Sequence, residues 1–462
     1  MSVRFMESLA TTAPLSLLFS DELVFQAMLD FEAALARVQA RLELIPQSAA
    51  VIISKVAHTS EFAPESISAI AGAALRAGTP AIPVVKALTE RVRSLDPVAA
   101  GFVHWGATSQ DVADTALVLL LKRALAVVGA DLSRLEQALQ KLSEQHASSV
   151  MLGRTLLQAA PPVTFGLKAA GWLAALRRTQ SRLNTALAEA LVVQFGGASG
   201  TTASLGSDGL AVGKALAAEL LLGFPDAPWH THRDRLAFLM SACGVLAGVL
   251  GKMARDVSLL AQSEVAEAAE PFAGNRGGSS TMPNKRNPVG CAVALAASFR
   301  VPALVSSFLS AMVQEHERGL GGWQAEWPIV SSLVQACGVA ALSMAEVMEG
   351  IAVDKERMRT NIEATHGMIF AERAMMLLGP SLGRDAAHKI IEKALQNRQP
   401  NESLIEILER TPQAAKLLDR AMLQELTDPE RYLGIADELR KRQLVQEARA
   451  ENKEDRAENK KE

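Results

Sequence analysis

Residues 236–260 read LAFLMSACGVLAGVLGKMARDVSLL. Leu236, Leu239, Cys243, Leu246, Leu250, Met253, Val257 and Leu260 recur there at alternating steps of three and four. That spacing places them on one stripe of an α-helix, a coiled-coil-like seam held for more than three heptads. Gly244, Gly248 and Gly251 form a second, smooth face on the same helix. Glycine inside a helix costs roughly 1 kcal/mol relative to alanine. Its repetition therefore predicts a neighbouring backbone packed very close.

The same period extends outward. Leu117, Leu121, Ala124, Val128, Leu132, Leu135, Leu139 and Leu142 step by threes and fours. Similar long patterns run over about 163–193, 289–317 and 325–350. Five helices of that length predict a central bundle over residues 111–350. Before it, Phe25, Met28, Leu29, Phe31 and Leu35 keep helical spacing behind Asp21, a plausible N-cap, so residues 1–110 read as a smaller helical domain. After it, residues 351–440 read as shorter helices broken by Gly379-Pro380, Gln399-Pro400 and Asp428-Pro429. Residues 441–462 read as a charged tail. The fold class is all-α. Composition agrees: hydrophobic residues make up 49% of the chain but aromatics only 4%, and strands favour aromatic and β-branched residues.

The formal net charge of −3 argues against nucleic acid as a partner, and any anionic ligand needs local cations. Cys243, Cys291 and Cys337 lie far apart in apolar stretches, which reads as buried thiols rather than disulfides or zinc ligands. No basic segment followed by an apolar run marks the N-terminus. The apolar run 236–251 falls short of the ~20 residues that span a bilayer, and Arg300 and Pro302 interrupt the next. A cytoplasmic protein with no membrane partner is expected.

Polar residues gather in islands. His104-Trp105-Gly106-Ala107-Thr108-Ser109-Gln110-Asp111 precedes a long helix. Thr108 or Ser109 would cap it, and the free N–H groups there suit a carboxylate ligand. In Gly153-Arg154-Thr155-Leu156-Leu157-Gln158, Thr155 and Gln158 share a face if a helix has begun. Trp229-His230-Thr231-His232-Arg233 invites a metal reading, but no third ligand stands nearby, so no metal is expected. Gln314-Glu315-His316-Glu317-Arg318, with Trp323 and Glu326, reads as a charged helix end that braces a site. The last island is a loop over about 271–288 that ends Gly277-Gly278-Ser279-Ser280-Thr281-Met282-Pro283-Asn284-Lys285-Arg286-Asn287-Pro288. Its glycines and prolines predict a long mobile arm carrying hydroxyls, an ammonium and an amide. By composition alone it is a solvated linker.

The order of that string changes the reading. It resembles the Gly-Ser-Ser-x-Met-Pro-x-Lys-x-Asn-Pro signature of the fumarase/aspartase superfamily. The resemblance extends to about residue 440 and is also carried by 29–36, 82–88, 106–111, 194–200 and 314–318. It implies a homo-oligomer, expected to be a tetramer, with sites built from three subunits by the first island, the second island and the loop. It implies Ser279 as acid/base, with Lys285 and Asn287 stabilising an enolate-like carboxylate. Thr108, Ser109 and Gln158 would hold substrate carboxylates, with His104, Arg154, Thr155 and Arg233 as further binding candidates.

One departure separates branches. Fumarases and the argininosuccinate- and adenylosuccinate-type lyases carry histidine directly after the threonine of the second region, where this chain has Leu156. Leucine carries no proton, which disfavours expulsion of an amine. The sequence is similar to the cycloisomerase branch, which also lacks that histidine, although Ala159 and Asn284 stand where that branch has histidines. The expected activity is cofactor-independent lactone closure on an acyclic, doubly unsaturated tricarboxylate. The alternatives are a fumarate-releasing lyase and a non-catalytic helical bundle. The five stripes are too apolar for one chain to hide, and the aligned smooth faces suggest helices from other subunits. Sedimentation at micromolar concentration should therefore give an oligomer, and a monomeric mass would contradict the reading.

Overall fold

The computed structural model of the chain describes residues 5–272 and 276–445. The cap of helix α1, Asp21–Arg41, lies one residue earlier than expected: the Ser20 hydroxyl accepts from Leu23 N at 3.3 Å. Asp21 instead lies in the first turn, where its charge complements the helix dipole. The five long helices are α2, Ser109–Gln145; α3, Phe165–Ala190; α4, Asp234–Leu260; α5, Val289–Ala311; and α6, Gly322–Gly350. The expected run to residue 317 ends early at Ala311, because the Gln314 amide takes the Ala311 carbonyl at 3.2 Å.

By packing, the described chain divides into two compact units. The first holds the described residues up to 133, with 178–251 and 292–343; the second holds those of 134–177, of 252–291 and from 344 on. The division falls inside all five long helices. In the first unit α4 and α5 run antiparallel, with Gly244 facing Val305 and Gly251 facing Ser298. A Cβ on Gly251 would lie 2.5 Å from that of Ser298. The close neighbour that the glycines predicted is thus a helix of the same chain. Only Gly248 faces open space. The Cys337 thiol donates to the Cys243 carbonyl at 3.4 Å, tying α6 to α4.

The second unit contains a β-hairpin, β1, Val150–Thr155, and β2, Gln158–Thr164. Leu156 and Leu157 form its two-residue turn, with φ of 50° and 66°. Two-residue hairpin turns want Asn-Gly there, so the usual signal is missing. The helical reading of this island is corrected on that point, and Pro161-Pro162 independently rules a helix out. Val150 and Leu152 pack with Ile362, Phe370, Leu378 and Leu408 of the short C-terminal helices. The last helix runs to Leu444, with Arg440 buried beside Asp437, so it takes in the first residues of the charged segment. Residues 446–462 lie outside the described residues.

Helices α4, α5 and α6 are each long and apolar enough, by length and composition, to cross a membrane. The run 236–251 is therefore the core of a longer helix, since Lys252, Arg255 and Asp256 do not end it. Within the chain α4 and α6 bury 61% and 67% of their apolar windows, while α5 buries only 28%. Helix α5 thus presents a broad apolar face, including Phe299 and Leu309.

Gly251→Ala should lower stability by about 1–3 kcal/mol despite alanine's helix propensity, because α4 and α5 must part to admit the methyl group. The urea midpoint measures this, and an unchanged or higher midpoint would refute the close packing.

Candidate active site

In the first unit, the start of α2 is organised around Asp111, which is fully buried. Its Oδ2 accepts from Thr108 N at 3.0 Å and Gly197 N at 2.9 Å. Its Oδ1 accepts from Gly196 N at 3.1 Å and from His230 Nε2 at 2.7 Å. One carboxylate thus closes the first turn of α2 and anchors a glycine loop and a histidine to it. The Thr108 and Ser109 side chains stay half-exposed beside that helix start. His230 is spent on Asp111 and His232 is exposed, so the pair does not converge. Among the described residues no three His, Cys, Asp or Glu side chains cluster as a metal would need.

Asp114, one turn on, is also fully buried. It accepts from Arg233 Nη1 at 2.7 Å, Arg233 Nη2 at 3.0 Å and Trp323 Nε1 at 2.9 Å. Arg233 also donates to Glu326, with Nη2 2.5 Å and Nε 2.9 Å away, and lies over the Trp229 ring. Both partners hold its guanidinium charged against the cost of burial. The structure therefore corrects Arg233 as a ligand-binding cation: it is fully buried and its charge is already matched by two buried carboxylates.

Two other basic side chains flank the helix start. His104 lies 2.6 Å from Glu32 through Nδ1, and because a carboxylate only accepts, Nδ1 carries the proton. Burial works against its charge, but Glu32 outweighs that and raises its pKa above the ordinary value. Arg318 donates to the carbonyls of Gly197 and Ala198 and to Gln110 Oε1, at 2.7, 3.2 and 3.3 Å. None of these is anionic, and Nε has no partner. Half-buried without a carboxylate in hydrogen-bond contact, Arg318 is favoured as a cation only through space, by Asp111 and Asp114, against the cost of burial. The sequence reading had it bracing the site; only the geometry shows that it is unpaired.

In the second unit, cross-strand pairing sets Thr155 opposite Gln158 at the hairpin tip, both exposed. Arg154 is committed elsewhere. It grips the buried Glu267 with two bonds of 2.8 and 2.6 Å, and Asn361 donates to the same carboxylate at 2.8 Å. Arg154 thus anchors the hairpin.

The loop is tied at its base. Gly277 O accepts from Asn287 N at 2.8 Å, and Gly278 bridges to Arg286. Gly277 has φ of 72°, and a Cβ there would strike the Asn287 carbonyl at 2.5 Å, so the position requires glycine. Glu270 caps α5, accepting from Gly290 N at 2.9 Å and Cys291 N at 2.8 Å. Arg286 stacks on Phe272, 4.1 Å from the ring centroid. Between these tethers Ser279 is half-exposed, and its hydroxyl oxygen accepts from Thr281 N at 3.2 Å and Met282 N at 3.0 Å. Two N–H groups aimed at one oxygen favour its deprotonated form. Lys285 is exposed, with no side-chain partner among the described residues, and Asn287 is half-exposed.

The chain matches known proteins over most of its length. A lyase family model matches residues 7–303, and an adenylosuccinate lyase C-terminus model matches residues 367–443. The chain belongs to the lyase family of the fumarase/aspartase superfamily. It is 46% identical to the 3-carboxy-cis,cis-muconate cycloisomerase of Pseudomonas aeruginosa, with 92% of each chain covered. The enzyme of that name from Acinetobacter baylyi is 43% identical, covering 94% of this chain and 96% of its own. The crystal structure of the 3-carboxy-cis,cis-muconate lactonizing enzyme of Pseudomonas putida superposes with a TM-score of 0.90 at 42% identity, covering 97% and 99%.

At the hairpin tip Leu156 is 98% exposed. The buried ion cluster lies below the helix start and sets its geometry. Arg233→Met should cost about 3–5 kcal/mol, because Asp114 and Glu326 would stay buried without a counter-charge. Chemical denaturation measures the loss; a change under 1 kcal/mol would show that the cluster is not structural.

Proposed function

We propose that the chain is a cycloisomerase that lactonises 3-carboxy-cis,cis-muconate to 4-carboxymuconolactone. The observation that carries this reading is the loop: Ser279, Lys285 and Asn287 lie on one tethered arm, and two N–H groups are trained on the serine oxygen. Relatives of that name along the whole length supply the substrate class.

The reaction is an intramolecular addition. One terminal carboxylate forms a C–O bond to the alkene carbon that bears the branch carboxylate, closing a five-membered ring. The π pair moves to the neighbouring carbon and onto the other terminal carboxylate, giving a dianion-like enolate. Ser279 donates its hydroxyl proton to that carbon, and solvent reprotonates the alkoxide. The N–H groups of Thr281 and Met282 ease loss of the proton, since they bond to the oxygen left behind. Lys285 and Asn287 meet charge that exists only in the transition state, which is where such contacts accelerate. Thr108, Ser109, Gln158 and Thr155 would hold the remaining carboxylates. The unpaired Arg318 is a better cation for one of them than Arg233 or Arg154, both spent on carboxylates. No leaving group needs an acid, which suits Leu156 at the hairpin tip. The chemistry needs no cofactor.

The reading includes assembly. Each unit carries only part of the residue set, and α5 offers an apolar face for copies of the chain to cover. A homotetramer with sites completed by neighbouring subunits is the arrangement we propose.

Mixing the protein with 3-carboxy-cis,cis-muconate should remove the diene ultraviolet absorbance, since ring closure breaks conjugation. Ser279→Ala should abolish this while far-ultraviolet circular dichroism stays unchanged, and Lys285→Ala should lower kcat by ~10²–10³. Near-normal turnover by Ser279→Ala would sink the assignment.

A further inference from the structure

Helix α1 buries one charged side chain, Glu32, and within the helix only Gln39, two turns on, is a second buried polar one. Both reach the same turn. Glu32 Oε1 takes His104 Nδ1 at 2.6 Å, and Gln39 Nε2 donates to the Trp105 carbonyl at 2.7 Å. Glu32 is 1% exposed, and its Oε2, like Gln39 Oε1, has no partner. His104 is held with φ of 61°, a region that few residues other than glycine enter. A buried carboxylate, a stranded acceptor and a left-handed histidine each cost free energy, and such costs gather at working sites.

We propose that Glu32 is a positioning residue that fixes His104 as an imidazolium, Nδ1 turned inward, so that Nε2 grips a carboxylate of the substrate. The inference rests on the proposed function for the identity of the ligand. A purely structural tie between α1 and the turn would not need charge, because a neutral pair makes it at lower desolvation cost. His104 keeps about a fifth of its side chain exposed, and Nε2 has no partner among the described residues. It stands four residues before Thr108, at the helix start already described. The charged groups that face it are Glu32 from α1 and Asp111 from α2. Both are anionic, and both favour the proton. The sign follows: ligand grip is present while His104 is charged and is lost as pH rises through its raised pKa. Removing the Glu32 charge moves that loss to lower pH.

The test uses the full-length protein and the isosteric Glu32→Gln, with His104→Gln and the double variant. Histidine labelled with ¹³C at Cε1 reports the titration of His104, assigned by the signal missing in His104→Gln. Glu32→Gln should lower that pKa. At neutral pH it should raise KM for 3-carboxy-cis,cis-muconate about tenfold or more and change kcat less. In the His104→Gln background it should add nothing. An unmoved titration, or a full additional cost in that background, overturns the proposal. If wild-type protein does not close the lactone, the proposed function fails, and the titration still decides whether Glu32 governs His104.

Discussion

Two aspartates one turn apart at the start of α2, Asp111 and Asp114, set the constraint that the first unit satisfies. Both are fully buried, so each must be matched by donors. Asp111 is matched by three backbone N–H groups and His230, and Asp114 by Arg233, Trp323 and two side-chain amides. The match fixes the loop at 196–197, the segment at 229–233 and the first residues of α6 against one helix start. Thr108 and Ser109 are left half-exposed at its edge. Catalytic geometry tolerates little play, and a saturated ionic network of this kind removes it.

The second unit solves a different problem. A loop that must present a hydroxyl, an ammonium and an amide needs freedom at its tip and order at its base. Glu270 on the α5 N-terminus, the Gly277–Asn287 bond and the Arg286–Phe272 stack supply the order. Ser279 brings its own local preparation, since its turn bonds the oxygen to two N–H groups. The same economy explains Arg154. Its charge is consumed in holding the hairpin to Glu267, leaving Thr155 and Gln158 to face outward.

Much of this was legible in the sequence because it is periodic or ordered. The seam from Leu236 to Leu260 gave α4, and the loop string marked Ser279, Lys285 and Asn287. What was not legible depends on contacts distant in sequence. Nothing local says that Arg233 points at Asp114, 119 residues away, instead of at a ligand. The hairpin was hidden because two leucines occupy a turn that normally advertises itself with Asn-Gly. The glycine face of α4 foretold a close neighbour but pointed to another subunit, whereas α5 of the same chain fills it at Gly244 and Gly251. Arg318 was visible as a residue but not as an unpaired charge, since pairing is a property of the fold.

The central claim is that the loop brings the Ser279 hydroxyl to the carbon that gains a proton. A crystal structure of the assembled protein with 4-carboxymuconolactone bound tests it most directly. The account predicts the Ser279 oxygen ~3–3.5 Å from the carbon next to the free terminal carboxylate, with Lys285 and Asn287 on that carboxylate. An ordered loop closed over the lactone with Ser279 turned away from that carbon would contradict it.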